Sequence, residues 1–96
     1  MIKKIIKIGT KWCGPCKSLS PIFDKVSKNS SFDDIEFDVI DAEENADFSE
    51  KYEIRTVPTI LFMDENGNEV KRSMGSMTEK QLIDLINAIK KLEAEK

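Results

Sequence analysis

Hydrophobic positions along the chain fall into short β-branched runs and longer stretches with helical spacing. The short runs are bounded by glycine, proline or polar residues, which is typical of strands. The third run is entered through proline, and the Asn66-Gly67 pair after it predicts a hairpin turn to the fourth. The four predicted strands span residues 2–8 (IKKIIKI), 35–41 (IEFDVID), 56–63 (TVPTILFM) and about 69–73.

Apolar residues at helical spacing predict three helices between and after these strands. The first helix should begin near Cys13 and end at about Lys28, with a kink at Pro21. Asn45 should open a short second helix. Thr78 and Gln81 form a capping box at the start of the last one. The apolar stripes consist of Leu19, Ile22, Phe23 and Val26, then Phe48 and Tyr52, then Leu82, Leu85, Ile86 and Ile89.

The predicted element order is therefore βαβαββα. This order implies an α/β fold with a four-stranded mixed sheet flanked by helices, the first two strands parallel through a crossover and the last two antiparallel. No linker or repeat interrupts the pattern, so residues 1–96 are expected to form a single domain.

Composition and charge narrow the function classes. The chain has 96 residues, and no apolar run approaches the roughly 20 residues that span a bilayer. The first residues lack the long apolar stretch of a signal peptide, so we expect a soluble cytoplasmic protein with no membrane partner. Residues 1–31 carry seven lysines and one aspartate, but these lysines are dispersed and few aromatics accompany them. Nucleic-acid binding is therefore disfavoured.

The only two cysteines, Cys13 and Cys16, lie two residues apart where the first strand gives way to the first helix. In a reducing cytosol a structural disulfide is unexpected, and this loop is too short to restrain much unfolded chain. Free N–H groups and the helix dipole at this position favour a thiolate at Cys13, and Lys11 and Lys17 add positive charge. Cys16 should lie beside Cys13 within one helical turn, close enough for reversible bridging.

The residues between the cysteines support this redox interpretation. Gly14 permits a tight entry to the helix, and Pro15 fixes φ in a first turn that needs no N–H donor. The competing interpretation is that the two cysteines form half of a zinc site. A structural zinc ion requires four ligands, and the chain has no histidine to complete the set. Two unreactive core cysteines are a further alternative, which the helix-opening Gly-Pro disfavours.

Three motifs in this order resemble the thioredoxin family over nearly the whole chain from residue 5 onward. They are the active-site segment 12–17 (WCGPCK) with Pro21 after it, the segment 51–59 (KYEIRTVPT) that leads to the family's cis-proline, and Gly75 before the last helix. The resemblance implies a minimal thioredoxin-like fold and a protein thiol–disulfide oxidoreductase that reduces partner proteins. It also implies a reductase partner, expected to be thioredoxin reductase, and a monomer without metal or organic cofactor.

Site roles follow from the same resemblance. Cys13 would attack a substrate disulfide and Cys16 would resolve the mixed disulfide. The substrate would be held by Trp12, Thr56, Val57, Pro58 and Gly75. Each of three of these residues also has a purely structural interpretation. Pro58 could be a trans-proline that begins an edge strand, Trp12 could serve only in packing, and Gly75 could be an ordinary turn glycine.

The sequence also departs from the family pattern. Lys7 stands where thioredoxins keep a buried acid, Val39 falls where a lysine commonly faces that acid, and Gly9 replaces a tryptophan. The leading strand and helix of full-length thioredoxins are absent from this pattern, which brings the outline closer to glutaredoxin.

Lys7 permits three interpretations. Its ammonium could stabilise a thiolate and make the disulfide easier to reduce, a desolvated Lys7 could serve as the missing base, or it could snorkel to an open face without touching sulfur. Three functional alternatives also stay open. These are a glutaredoxin-like reductase, a more oxidising oxidase or isomerase, and a non-catalytic binding module with this fold.

Overall fold

The computed structural model describes residues 1–95, which form four strands and three α-helices in the predicted order. A short 3₁₀ helix at Ser30–Phe32 was not predicted. The last residue of the expected domain lies outside the described range. The elements are β1 (Ile2–Gly9), α1 (Gly14–Ser27), β2 (Glu36–Asp41), α2 (Ala46–Lys51), β3 (Thr59–Asp64), β4 (Glu69–Met74) and α3 (Glu79–Ala94).

The strands form one mixed sheet in the order β2-β1-β3-β4. β2 is parallel to β1 and β3 is antiparallel to β4, as predicted. β3 is also antiparallel to β1. The central strands β1 and β3 are almost entirely buried because helices cover both faces of the sheet. The register pairs Lys7 of β1 with Val39 of β2, which confirms the predicted neighbour of Lys7.

Strand alternation divides the core into two clusters on opposite faces of the sheet. The larger cluster lies between the sheet and the helices α1 and α3. The smaller cluster joins Ile6 and Ile8 of β1 with Leu61 and Met63 of β3, under α2 and the residues that follow it. The larger cluster includes Ile5, Leu19, Phe23, Ile60, Phe62, Leu82 and Ile86.

Helix ends follow the sequence signals. Cys13 is the N-cap of α1, and Lys28 is its C-cap. In α3 both halves of the capping box form between Thr78 and Gln81. Pro21 lies inside α1 as expected, and a kink there stays a prediction.

The third strand begins later than predicted, at Thr59 rather than residue 56. Pro58 has no N–H with which to form a hydrogen bond to a neighbouring strand. The Thr59 hydroxyl donates to the Thr56 carbonyl at 2.7 Å, a local bond within this segment. Residues before Thr59 therefore form a loop at the end of the sheet.

The predicted turn at Asn66-Gly67 is present, within a loop of more than two residues. Gly67 adopts a φ of 79° and donates its N–H to the Asp64 carbonyl at 3.1 Å. The Asp64 carboxylate accepts the N–H groups of Asn66 and Asn68, each at 2.9 Å. This arrangement resembles a turn followed by a glycine bulge, which adds a residue to the connection.

Candidate active site

Cys13 and Cys16 are joined in a disulfide across the first turn of α1, with their Cα atoms 5.1 Å apart. The two sulfurs differ in exposure, because Cys13 is half-buried whereas Cys16 is only 3% exposed. The disulfide confirms the expected pairing of the two cysteines within one helical turn. The difference in exposure leaves Cys13 as the sulfur that a large partner can reach.

The helix start supplies hydrogen-bond donors to Cys13. Its Sγ accepts the backbone N–H of Cys16 at 3.1 Å, which is the bond of an N-cap side chain. The same geometry in the reduced form would favour a thiolate. Lys11 and Lys17 are exposed, and Lys11 is paired with Glu44 at 3.3 Å. The contribution of Lys11 to the site is therefore partly neutralised.

Gly14 and Pro15 occupy the first turn of α1, and both are exposed. A side chain added at Gly14 would meet no neighbouring atom within 4 Å. The protein itself does not crowd Gly14, so this turn offers an open surface beside Cys13.

The predicted binding residues, namely Trp12, the loop 56–58 and Gly75, are called the front side of the site below. The Trp12 side chain is 81% exposed, so packing does not explain it. The Val57–Pro58 peptide bond is cis, as the sequence predicted. The Pro58 carbonyl accepts the N–H of Gly75 at 2.9 Å, which joins two of the predicted binding residues.

The front side lies at the cysteine end of the sheet. Thr59, the residue after Pro58, is paired with Ile8 of β1 and with Met74 of β4. Gly75 follows Met74 and has a φ of +92°, a conformation that favours glycine. Thr56 is exposed and Val57 half-buried. The topology therefore gathers the predicted binding residues near the first turn of α1.

Met74 is a front-side residue that sequence reasoning missed. It is 62% exposed and directly precedes Gly75. The available signal was an apolar residue at the end of an edge strand, next to a predicted binding glycine. An exposed methionine there enlarges the apolar surface that a partner could cover.

The other side of the disulfide, the rear side, is formed by Lys7, Gly9 and Ser20 around Cys16. Lys7 is 6% exposed, and its Nζ donates to Ser20 Oγ at 2.9 Å. Ser20 Oγ in turn donates to the Cys16 carbonyl at 3.0 Å. Burial lowers the pKa of the Lys7 amine. Ser20 was missed, although its position four residues after Cys16 on a helix was the available signal.

Gly9 lies against Cys16. A Cβ at Gly9 would lie 3.0 Å from Cys16 Sγ and 3.2 Å from its Cβ, closer than ordinary contact. Gly9 therefore leaves the space that the buried sulfur occupies in this structure, and a side chain at this position would require Cys16 to shift.

Within residues 1–95, no group of three or more His, Cys, Asp or Glu side chains is placed to hold a metal ion. Over the same residues, no helix has both the length and the apolar character needed to cross a bilayer.

Comparison with known proteins gives one consistent family. The family model described as Thioredoxin matches residues 2–88. A thioredoxin from Mycoplasma genitalium is 39% identical over 83 residues, which cover 86% of this chain and 78% of that protein. A thioredoxin from Rickettsia typhi is 35% identical over 83 residues, covering 86% and 77% of the two chains.

Solved structures agree with the sequence comparison. A thioredoxin h from poplar superposes with a TM-score of 0.79 at 34% identity, covering 90% of this chain and 74% of the other. Fasciola hepatica thioredoxin gives a TM-score of 0.78 at 28% identity, covering 88% and 78%.

Proposed function

This chain belongs to the thioredoxin family and is a thiol–disulfide oxidoreductase, and from that premise we propose that Cys13 attacks the disulfides of partner proteins and Cys16 completes the reduction. The observation that supports this division of labour is the difference in exposure between the two sulfurs. Cys13 caps the helix at the surface, whereas Cys16 is buried one turn away. This difference supports Cys13 as the sulfur that meets a disulfide of a folded partner.

The proposed cycle begins with both cysteines reduced. The Cys13 thiolate attacks a substrate disulfide, forms a mixed disulfide and releases one substrate thiolate. Cys16 loses its proton to solvent, and its thiolate attacks Cys13 Sγ. The Cys13–Cys16 bond then forms as the bond to substrate breaks, and the second substrate sulfur departs with the electron pair. Two electrons have passed from the protein to its substrate.

Substrate binding is proposed for the front side. Trp12 and Met74 offer exposed apolar surface, and the loop 56–58 offers backbone groups to an extended segment. Gly75 adds no side chain to obstruct the approach of that segment. The proposed substrates are therefore protein disulfides whose flanking chain can lie extended against this loop.

Thioredoxins are recharged by a reductase, and we propose thioredoxin reductase for this chain. The dithiol supplies both electrons, so the proposed cycle requires no metal or organic cofactor. A cytoplasmic location is proposed because this cycle requires a supply of electrons from a reductase. A monomer is proposed because one Cys13–Cys16 pair completes the cycle. Turnover with thioredoxin reductase but not with glutathione would separate this proposal from a glutaredoxin-like function.

The test is a trapping experiment with Cys16→Ser. This variant should retain Cys13 and accumulate mixed disulfides with protein substrates, because no second thiol is present to resolve them. Non-reducing electrophoresis of the variant mixed with a disulfide-containing protein such as insulin would detect the adducts, and a reductant should dissolve them.

Cys13→Ser is the matched control, since it leaves one buried thiol. It should form few adducts and should not turn over. Trapping by Cys13→Ser alone would reverse the assigned roles of the two cysteines, and equal trapping by both variants would overturn the division of roles.

A further inference from the structure

The rear side of the disulfide opens onto a cavity between β2, the end of β1 and the first turns of α1. Its volume is about 310 Å³, and Lys7, Gly9, Cys16, Ser20 and Val39 contribute to its lining. The buried Cys16 therefore has a second neighbour besides the protein core, namely a cavity that Lys7 shares.

Lys7 is held at this cavity by a two-bond connection to Cys16. Its Nζ donates to Ser20 Oγ at 2.9 Å, and Ser20 Oγ donates to the Cys16 carbonyl at 3.0 Å. The strand neighbours of Lys7 are Val39 and Ile60, both apolar. None of the ion pairs formed among residues 1–95 includes Lys7, so no carboxylate in that range neutralises it directly.

Other charged groups around the cavity are engaged elsewhere or exposed. The Asp41 carboxylate accepts the N–H groups of Glu43 and Glu44, at 2.8 and 3.3 Å. In the adjoining pocket below Lys7, Asp24 is paired with Lys28 at 3.0 Å. Besides Lys7, the charged residues that line the cavity are Lys11, Lys17 and Asp41, and the adjoining pocket is lined by Asp24.

Resting on the proposed function, we propose that Lys7 is a positioning residue whose ammonium, anchored by Ser20, stabilises the Cys16 thiolate that resolves the mixed disulfide. When Cys16 releases its proton through the cavity to solvent, a negative charge forms in a buried place. A buried thiolate is costly unless a cation compensates it, and Lys7 is the buried cation at the same cavity. The thiolate then attacks Cys13 Sγ, and the substrate sulfur leaves as a thiolate that solvent protonates.

The direction of the effect on the redox equilibrium follows. A cation near Cys16 favours the reduced form, in which a thiolate can exist, over the disulfide, which has no charge. Lys7 should therefore make the disulfide easier to reduce. Burial lowers the pKa of the Lys7 amine, and a thiolate that forms beside it would act in the opposite direction.

The test uses the reduced full chain and Ellman's reagent, which releases one yellow thionitrobenzoate when Cys13 attacks and a second when Cys16 resolves the adduct. In Lys7→Met the second release should slow about tenfold at neutral pH, and its pH midpoint should rise by about one unit. The first release should stay within about twofold. Ser20→Ala, which removes the anchor from an exposed position, should give a smaller change in the same direction.

Lys3→Met is the matched control, because it removes the same charge from an exposed position on the same strand. It should leave the second release and its pH midpoint unchanged. The disulfide of Lys7→Met should also become harder to reduce in glutathione redox buffers, whereas that of Lys3→Met should not.

The outcomes separate this inference from the proposed function. Wild-type protein that never releases the second thionitrobenzoate would overturn the proposed cycle. A wild type that cycles, with an unchanged pH midpoint in folded Lys7→Met, would overturn only the role of Lys7. A slowed second release with an unchanged redox equilibrium would also overturn the proposal that the charge of Lys7 stabilises the Cys16 thiolate. It would assign Lys7 to proton transfer instead. If Lys7→Met does not fold, an unchanged midpoint in Ser20→Ala decides against the inference.

Discussion

The front and rear sides of the disulfide are built in different ways. The front side consists of exposed groups and backbone features, including Trp12 and the hydrogen bond from Gly75 to Pro58. The rear side consists of the buried Lys7, its hydrogen bond to Ser20, and Gly9, which leaves room for the buried Cys16 sulfur. The front side matches family motifs, whereas Lys7 and Gly9 on the rear side depart from them.

This difference separates two properties of the protein. In the proposed function the front side supplies the surface that a partner chain would occupy beside the half-buried Cys13. The rear side acts on the energy of the Cys16 thiolate, which governs how fast the adduct resolves and how easily the disulfide is reduced. Substitutions on the two sides should therefore change different measurements.

The largest stability effect is expected for a substitution at Arg72. This residue binds the backbone of the loop that follows α2 and leads to residues 56–58. Its guanidinium donates to the Tyr52 carbonyl at 2.7 Å and to both carboxylate oxygens of Glu69, at 2.6 and 2.7 Å. Hydrogen bonds to charged groups contribute roughly 1.5–3 kcal/mol. Because the pair is partly exposed, Arg72→Met should lower the free energy of unfolding in urea by about 2 kcal/mol. The Cys16 pH midpoint should not move.

The penalty at Arg72 should also depend on pH. The hydrogen bond from Arg72 holds the pKa of Glu69 below its ordinary value of 4.5. A lowered folded-state pKa stabilises the protein above the unfolded pKa, and that stabilisation is lost as pH falls through the folded value. The difference between wild type and Arg72→Met should therefore shrink in acid. A constant difference down to the acid limit would show that the ion pair contributes nothing.

An intermediate effect is expected for Gly9→Ala on the rear side. The new methyl group would lie 3.0 Å from Cys16 Sγ, so the sulfur or the strand must move by a few tenths of an ångström. Overpacking of this kind typically costs about 1–3 kcal/mol, and we expect about 1.5 kcal/mol because the Cys16 side chain can give way. Unlike Arg72→Met, this variant should also alter the second thionitrobenzoate release. Loss of stability without that kinetic change would contradict contact with the sulfur.

The smallest effect is expected for Gly75→Ala on the front side. Gly75 has a φ of +92°, but a Cβ there would meet no atom within 4 Å. The cost is therefore conformational, about 1 kcal/mol, and the rear-side kinetics should be unchanged. Gly14→Ala is the stability control, because Gly14 has the same open space without a positive φ. Equal destabilisation by both variants would show that φ is not the reason.

Local patterns were sufficient for the elements and for the reaction class. β-Branched runs with their turn signals predicted the four strands, and apolar residues at helical spacing predicted the three helices. The pair Cys13 and Cys16 was predictable because a helix start and a single turn are both local. The start of β3 was wrong by three residues, since a strand-like composition continues across Pro58, which cannot join the ladder.

The sequence by itself therefore determined the order of elements, the dithiol and its place at a helix start, all of which depend on residues close together in the chain. Tertiary structure alone decided that Lys7 reaches Ser20, that Arg72 holds Tyr52 and that Gly9 contacts Cys16. Each of these contacts joins separate elements, and the separation of their side chains depends on how β1 packs against α1 or how β4 lies beside the loop after α2. Packing geometry of that kind has no period along the chain from which it could be read.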